Sequence, residues 1–379
     1  MKIALLTDGV YPYVIGGMQK HSLQLVKYFA QNKHTVYLYH CNESDYDISK
    51  LEFFTDEEKQ YIHSIVIPFP HKGYFPFHYL VESRQYSELI YQSLKKVIGE
   101  IDFIYAQGFC AWDLLRHKTR ATPPVAVHFH GLEMFQFVPG LKSNIAKYFL
   151  RSAVKFNVTA ADYNISYGGK ITSILSGISG KEKIWQVPGG IDEAWFTPNK
   201  NNADGKIHFA FTGRYERRKG IAELNSAIMK LVPSGGFTFD FIGPIPDEYK
   251  IPTHEICYHG QMSSESDIKK ILSGADVLVC PSYSEGMPNV IMEGMACGLA
   301  IVATDVGAVS LLVNSDNGWL INKTSEEAIY KTLAEVLQIK PDLLQKKKLS
   351  SAEKIQNYTA EKVMSGLLNH IEEAKKKVS

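Results

Sequence analysis

Short apolar runs closed by turn residues alternate with longer segments in which apolar positions return every three or four residues. That alternation predicts a parallel sheet flanked by helices, an α/β architecture. Lys2 to Thr7 reads as the opening strand, and Met18, Ser22, Leu25 and Phe29 mark one face of the helix that follows. Further strands are expected at residues 35–40, 102–106, 125–130 and 164–166. Around Phe196 the period gives way to the polar, turn-rich run Pro198 to Gly205, which reads as a linker. Lys206 to Gly213 then echoes the opening strand and its glycine turn. Strands at 237–242, 256–259, 277–280 and 300–303 alternate with helices, and from Ser325 onward the pattern is helical. The expected organisation is two Rossmann-like domains: residues 1–197, a linker over 198–205, residues 206–358, and a C-terminal helix over 359–379 that packs back toward the first domain.

A chain of 379 residues exceeds what one core usually organises, which agrees with two domains. With 41 basic against 40 acidic residues, no global charge drives the chain onto nucleic acid or an anionic membrane. Cys41, Cys110, Cys257, Cys280 and Cys297 are scattered without zinc-ligand spacing and read as reduced thiols. Nothing resembles a signal-peptide core or a membrane span, so a cytoplasmic protein is expected.

In an open α/β sheet ligands gather beyond the carboxyl ends of the strands, and four segments stand there. Asp8 to Gly17 ends in the pair Gly16-Gly17 before a helix, which suits close approach of backbone N–H groups to a phosphate and equally an ordinary loop. His130 closes the run Val125 to Gly131, with His128 on the same side; its imidazole suits a sugar hydroxyl or a plain structural bond. Thr212 to Gly220 gathers cations after a strand; Arg214 and Lys219 are the choices for a diphosphate, whereas Arg217 and Arg218 read as a solvated helix start.

The fourth segment, Ser284 to Gly298, follows a strand and enters a helix at Pro288. The N–H groups of Gly286, Met287 and Asn289 should then face an anion or hydroxyls. Glu285 precedes the helix and Glu293 lies inside it, so the two carboxylates should hold different parts of one extended ligand. A vicinal ribose diol is the natural partner of Glu293, which sits among apolar residues and needs one.

These four elements in this order resemble glycosyltransferase family four, with its GT-B fold of two Rossmann-like domains facing each other across a cleft. The most specific part is Glu285 to Glu293 followed by Gly294-Met295-Ala296-Cys297-Gly298, similar to the family's pair of glutamates separated by seven residues. The resemblance implies a retaining transfer of a hexose-type sugar from a nucleotide-diphospho-sugar, with no cofactor and no metal. It implies that Arg214 and Lys219 bind the donor diphosphate, that His130 lies near the transferred sugar, and that Glu285, with the Gly286 and Met287 backbone, holds sugar hydroxyls. Glu293 takes the ribose, Gly16 and Gly17 approach the phosphates, and His259 to Met262 falls where the family places the base. Two departures stand out: glycine in Val187-Pro188-Gly189-Gly190-Ile191-Asp192 where asparagine is frequent, and Met287 where an aromatic or another apolar residue is usual.

Asp45-Tyr46-Asp47 has the pattern of a metal-dependent transferase but stands in a polar run and reads as a solvated loop. UDP-sugars are favoured over GDP-mannose as donor, and a glycan or lipid-linked glycan is expected as acceptor, in cell-surface polysaccharide or glycolipid synthesis. The run Gly140 to Arg151 with Lys155 is either a basic amphipathic helix for the inner face of a membrane or an ordinary helix with solvated lysines. Two rival functions share the fold: a sugar-nucleotide epimerase and a non-catalytic donor-binding subunit.

Overall fold

The computed structural model describes residues 1–14, 16–41, 53–73, 77–137, 139–200, 204–262 and 264–377, with backbone alone for 141–146. The Asp45-Tyr46-Asp47 run lies outside the described residues. The first sheet holds β1 (Lys2–Leu6), β2 (Thr35–His40), β3 (Ile62–Val66), β4 (Phe103–Gln107), β5 (Val125–His128), β6 (Tyr163–Ser166) and β7 (Ile184–Gln186). The second holds β8 (Ile207–Thr212), β9 (Phe237–Ile242), β10 (Ile256–Gly260), β11 (Val277–Cys280), β12 (Ala300–Thr304) and β13 (Gly318–Ile321). All the pairings are parallel, in the orders β3-β2-β1-β4-β5-β6-β7 and β10-β9-β8-β11-β12-β13. In each sheet the order reverses beside its opening strand, between β1 and β4 and between β8 and β11. That reversal opens the crevice in which α/β sheets take ligands.

The central strands are apolar throughout because helices cover both faces. Ile3, Ala4, Leu5 and Leu6 are fully buried, as are Val277, Leu278 and Val279. The strands that periodicity misses, β3, β7 and β13, all lie on sheet edges, where partial exposure dilutes the apolar signal.

Among the covering helices, α1 (Gly17–Gln31), α2 (Leu141–Ala160), α3 (Glu265–Leu272), α4 (Asn289–Ala296) and α5 (Ala360–Lys376) shape the site. α1 buries the stripe Ser22, Leu25, Val26 and Phe29. α5, last in sequence, returns to the first sheet: Val363, Met364, Leu367 and Ile371 join Ile3, Leu5 and Phe29 in one core. Each such side chain is worth roughly 1.5–3 kcal/mol of gross burial.

The chain passes from one half to the other earlier than the polar run suggests. Ile191 and Trp195 are buried in the second half's core. Thr197 N–H donates to Ala296 O, and Asn199 Nδ2 donates to Ala275 O at 2.8 Å. The start of the expected linker is therefore bound to the second half, because its polar side chains and backbone cap carbonyls there rather than remaining solvated. Beside this crossing runs the return crossing into α5, tied to it by Ile191 N–H to Tyr358 O and Ala360 N–H to Ile191 O, at 2.9 and 2.8 Å.

Candidate active site

The loop after β11 brings Glu285 under the cleft. Its carboxylate accepts from Lys219 Nζ at 2.7 Å and Ser282 Oγ at 2.8 Å, with an Arg218 guanidinium nitrogen at 3.5 Å. Burial alone would raise its pKa, but the charges of Lys219 and Arg218 outweigh that and hold it below the ordinary value. Gly286 next to it faces the other half: a Cβ there would lie 2.6 Å from His130 O. Glycine is what lets the two halves touch. Gln136 Nε2 reaches across to donate to Glu285 O at 2.7 Å.

Pro288 is the N-cap of α4 rather than its first residue, so Asn289 opens the helix. Glu293, one turn on, lines a cavity of about 390 Å³ between the halves together with Gly17, Lys20, Glu265, Asn289 and Trp195. Burial pushes its carboxyl up to about 7; the Lys20 charge opposes this and the Glu265 charge adds to it. The starts of α1 and α4 face each other here, with Asn289 Nδ2 at 3.7 Å from a Cβ built on Gly17. Lys20 closes the gap by an ion pair to Glu265 at 2.7 Å. Gly16 is the N-cap of α1.

The cations divide differently from the sequence expectation. Arg214 is exposed at 72% and pairs with Glu216 at 2.9 Å. Arg218, read as solvated, turns inward to 24% exposure and spans the cleft, bonding Glu216 at 2.8 Å and approaching Glu285 at 3.5 Å and Glu133 of the first half at 3.7 Å. The cause is a single 3₁₀ turn over Arg217–Lys219, closed by Gly220 in the left-handed region. It aims Arg218 and Lys219 at Glu285 and leaves Arg217 on Glu223.

Across the cleft His130 has φ 51° and packs its ring on His128, centroids 3.9 Å apart. Its Nδ1 lies 2.6 Å from Tyr167 Oη, while Nε2 is buried without a hydrogen-bond partner among the described residues. Burial, with His21 nearby, holds His130 well below the ordinary imidazole value, and burial brings His21 to about 4. The histidines are neutral hydrogen-bonding groups at neutral pH.

The cavity lies between facing helix starts, with Glu293 and Lys20 on its wall, and a separate family profile matches each half of the chain. The glycosyltransferase family 4 profile covers residues 15–195, and that of glycosyl transferases group 1 covers residues 206–338. The chain is a family-four glycosyltransferase.

This glycosyltransferase is 36% identical over 123 residues to the putative teichuronic acid biosynthesis glycosyltransferase TuaC of Bacillus subtilis, a match that covers 32% of the chain and 31% of that relative. It is 25% identical over 257 residues to N,N'-diacetylbacillosaminyl-diphospho-undecaprenol alpha-1,3-N-acetylgalactosaminyltransferase of Campylobacter jejuni, 62% of the chain and 68% of the relative. The chain thus spans about a third of the first relative and about two thirds of the second. The structure of HepE from Anabaena in complex with UDP and glucose shares the fold, with a TM-score of 0.69 at 16% identity over 98% of this chain and 99% of that one.

The two departures of the transferase from its family meet in space. Gly189 N–H donates to Met287 Sδ at 3.0 Å, and a Cβ on Gly189 would lie 3.0 Å from Met292 Cε, so a flexible thioether fills the room that a side chain at 189 would take. Met262 packs partly buried on the same core. The His259 side chain does not line the cavity and pairs with Asp240 at 2.6 Å on the β10 edge of the second sheet. Sequence reasoning passed over Lys20, Glu133, Gln136 and Arg218. Lys20 sits in the short run opening with Gly16-Gly17 and was legible as a cation at a helix start; the others become visible only when the halves are docked.

Proposed function

We propose that this glycosyltransferase moves a hexose-type sugar from a UDP-sugar to a hydroxyl of a glycan or lipid-linked glycan, with retention of configuration and without a metal, in cell-surface polysaccharide synthesis. The observation that carries the reading is the buried Lys219–Glu285 pair facing His130 across a closed cleft. A donor diphosphate competes with Glu285 for Lys219, and Arg214 exchanges its exposed pair with Glu216 for the diphosphate by swinging in from the rim. Lys219 then neutralises the leaving phosphate while the released Glu285 accepts hydrogen bonds from sugar hydroxyls. The neutral His130 donates or accepts at the sugar, and Glu293 accepts from the ribose diol. The acceptor hydroxyl approaches the face that the phosphate vacates, and a phosphate oxygen takes its proton. UDP is favoured by the fold shared with the UDP complex of HepE, and the glycan acceptor by the names of the bacterial relatives.

Thermal shift against UDP, GDP and ADP comes first, since a matched ligand stabilises in proportion to occupancy. Transfer from the matched donor follows, with the product anomer read by NMR. A new isomer of the donor without acceptor would indicate an epimerase; an inverted product would overturn retention.

Membrane contact is a second part of this reading, favoured by α2. Tyr148 and Phe149 are exposed at 71% and 48%, beside exposed Arg151 and Lys155. Lys147 is turned inward, its Nζ donating to Gln136 O at 3.1 Å. Among the described residues no helix is long and apolar enough to cross a membrane. Co-sedimentation with anionic but not neutral liposomes is expected; equal sedimentation with both removes this part.

A further inference from the structure

The β10 edge of the second sheet carries a polar cluster that the proposed transfer reaction does not use. β9 and β10 pair with Cys257 opposite Asp240, and at the register shift between Tyr258 and Gly260 the His259 side chain turns onto Asp240. His259 Nε2 lies 2.6 Å from Asp240 Oδ1, and one donor atom from each of the three residues lies within 4.8 Å of the other two. Elsewhere in this sheet Ala210, Ile242 and Leu278 are buried with the apolar residues of α3 and α4. The chain leaves β10 through α3 toward β11, so the sheet edge stays open: Asp240 and His259 are half-buried and Cys257 is exposed.

We propose that Asp240, Cys257 and His259 form a binding site for a divalent transition metal ion, with Zn²⁺ as the occupant their donor chemistry selects. A thiolate, an imidazole and a carboxylate make a borderline-soft set, unlike the all-oxygen shells of Mg²⁺ and Ca²⁺. Tetrahedral Zn²⁺ with ligands about 2.0–2.3 Å away separates them by roughly 3.3–3.6 Å. The His259–Asp240 pair opens by less than about 1 Å to reach that spacing, a change within the reach of side-chain rotation, with Cys257 and Asp240 held opposite each other by the paired strands and His259 at the register shift beside them. Binding releases the thiol proton to solvent, and water completes the fourth position. His259 directly precedes Gly260 to Met262, so the bound ion braces the strand from which that loop leaves; this last point rests on the donor-site reading, whereas the metal site itself does not.

The test is a titration of the reduced, metal-free full chain with Co²⁺, followed by displacement with Zn²⁺. One equivalent is expected to give the near-ultraviolet thiolate-to-metal band and intense visible bands of tetrahedral Co²⁺. The other four cysteines are buried, so a thiolate band in the folded protein reports Cys257. Cys257→Ser should abolish the band and weaken Zn²⁺ binding at least tenfold with an unchanged circular dichroism spectrum, and Asp240→Asn should weaken it while keeping the band. Absence of the band at one equivalent, or its survival in Cys257→Ser, overturns the proposal. The readout needs no substrate, so failure of the transfer reading leaves it intact, and an active transferase without the band sinks the metal site alone.

Discussion

Glu285 and Glu293 belong to one loop-and-helix segment and both are shielded from bulk water, yet they live under opposite electrostatics. Glu285 has a lysine and a serine in hydrogen-bond contact and an arginine close by, and stays ionised. Glu293 has the charges of Lys20, itself engaged with Glu265, and more weakly of Lys219 in its favour, but burial outweighs them and its carboxyl is pushed up to about 7. The first is already compensated and has to exchange partners when an anion arrives; the second is undercompensated and gains from a ligand that donates hydrogen bonds. On the proposed reading, one end of the cleft releases and the other captures.

The sharpest way to break this contrast is Lys219→Ala. It removes the cation that Glu285 holds and that the proposed mechanism gives to the diphosphate, so kcat should fall by about 10²–10³-fold. The orphaned carboxylate should also cost about 3 kcal/mol of stability, read by thermal unfolding. Near-native turnover would remove Lys219 from the mechanism. Next come the two carboxylates themselves. Glu285→Gln should lower kcat about 10²-fold, whereas Glu293→Gln should raise the donor KM about tenfold with kcat within a few-fold, the loss of one charge-assisted bond. Effects on the same kinetic parameter would erase the distinction.

The carboxylates also separate by pH. Glu293 binds its proton more tightly folded than unfolded, so the protonated form favours the native state and that contribution fades as pH rises from the ordinary carboxylate range through about 7, by at most about 3 kcal/mol. Glu285 has the opposite linkage: its contribution is present above the ordinary value and is lost as pH falls through its lowered one. UDP affinity should therefore rise toward pH 7 and level off above it, and Glu293→Gln should flatten that rise in a calorimetric titration. A wild-type affinity independent of pH between 5 and 8 would contradict the ribose role.

The cations give a smaller contrast. Arg218→Ala should lower the unfolding temperature by a few degrees, because it unties Glu133 from Glu285 across the cleft. Arg214→Ala should leave stability within about 0.5 kcal/mol and act on kcat/KM alone. Lys20→Ala is also a small change in stability: its partly exposed pair with Glu265 is worth about 0–1 kcal/mol, read by thermal unfolding.

Much of the fold could be read from periodicity because both sheets are parallel and buried, which makes central strands such as β1 and β11 continuous apolar runs. The edges β3, β7 and β13 lacked that signal. Glu285, Glu293, Gly17 and Lys219 were legible because strand ends and helix starts fix where such residues point. Arg218 was not, since its inward turn depends on the 3₁₀ geometry and on Gly220. Nor was the crossing at Ile191 and Trp195, whose burial is decided by a core assembled from residues far along the chain.

The two crossings between the halves lie side by side, laced by Ile191 and Ala360, with a Cβ on Gly190 only 2.8 Å from Ala360 Cα. A panel hung on two adjacent straps can swing but cannot slide. An opening of the cleft would thereby be a rotation about that line, and a swing that parted Gly286 from His130 would also part Asn289 from Gly17, so both ends of the proposed donor would be gripped and let go together.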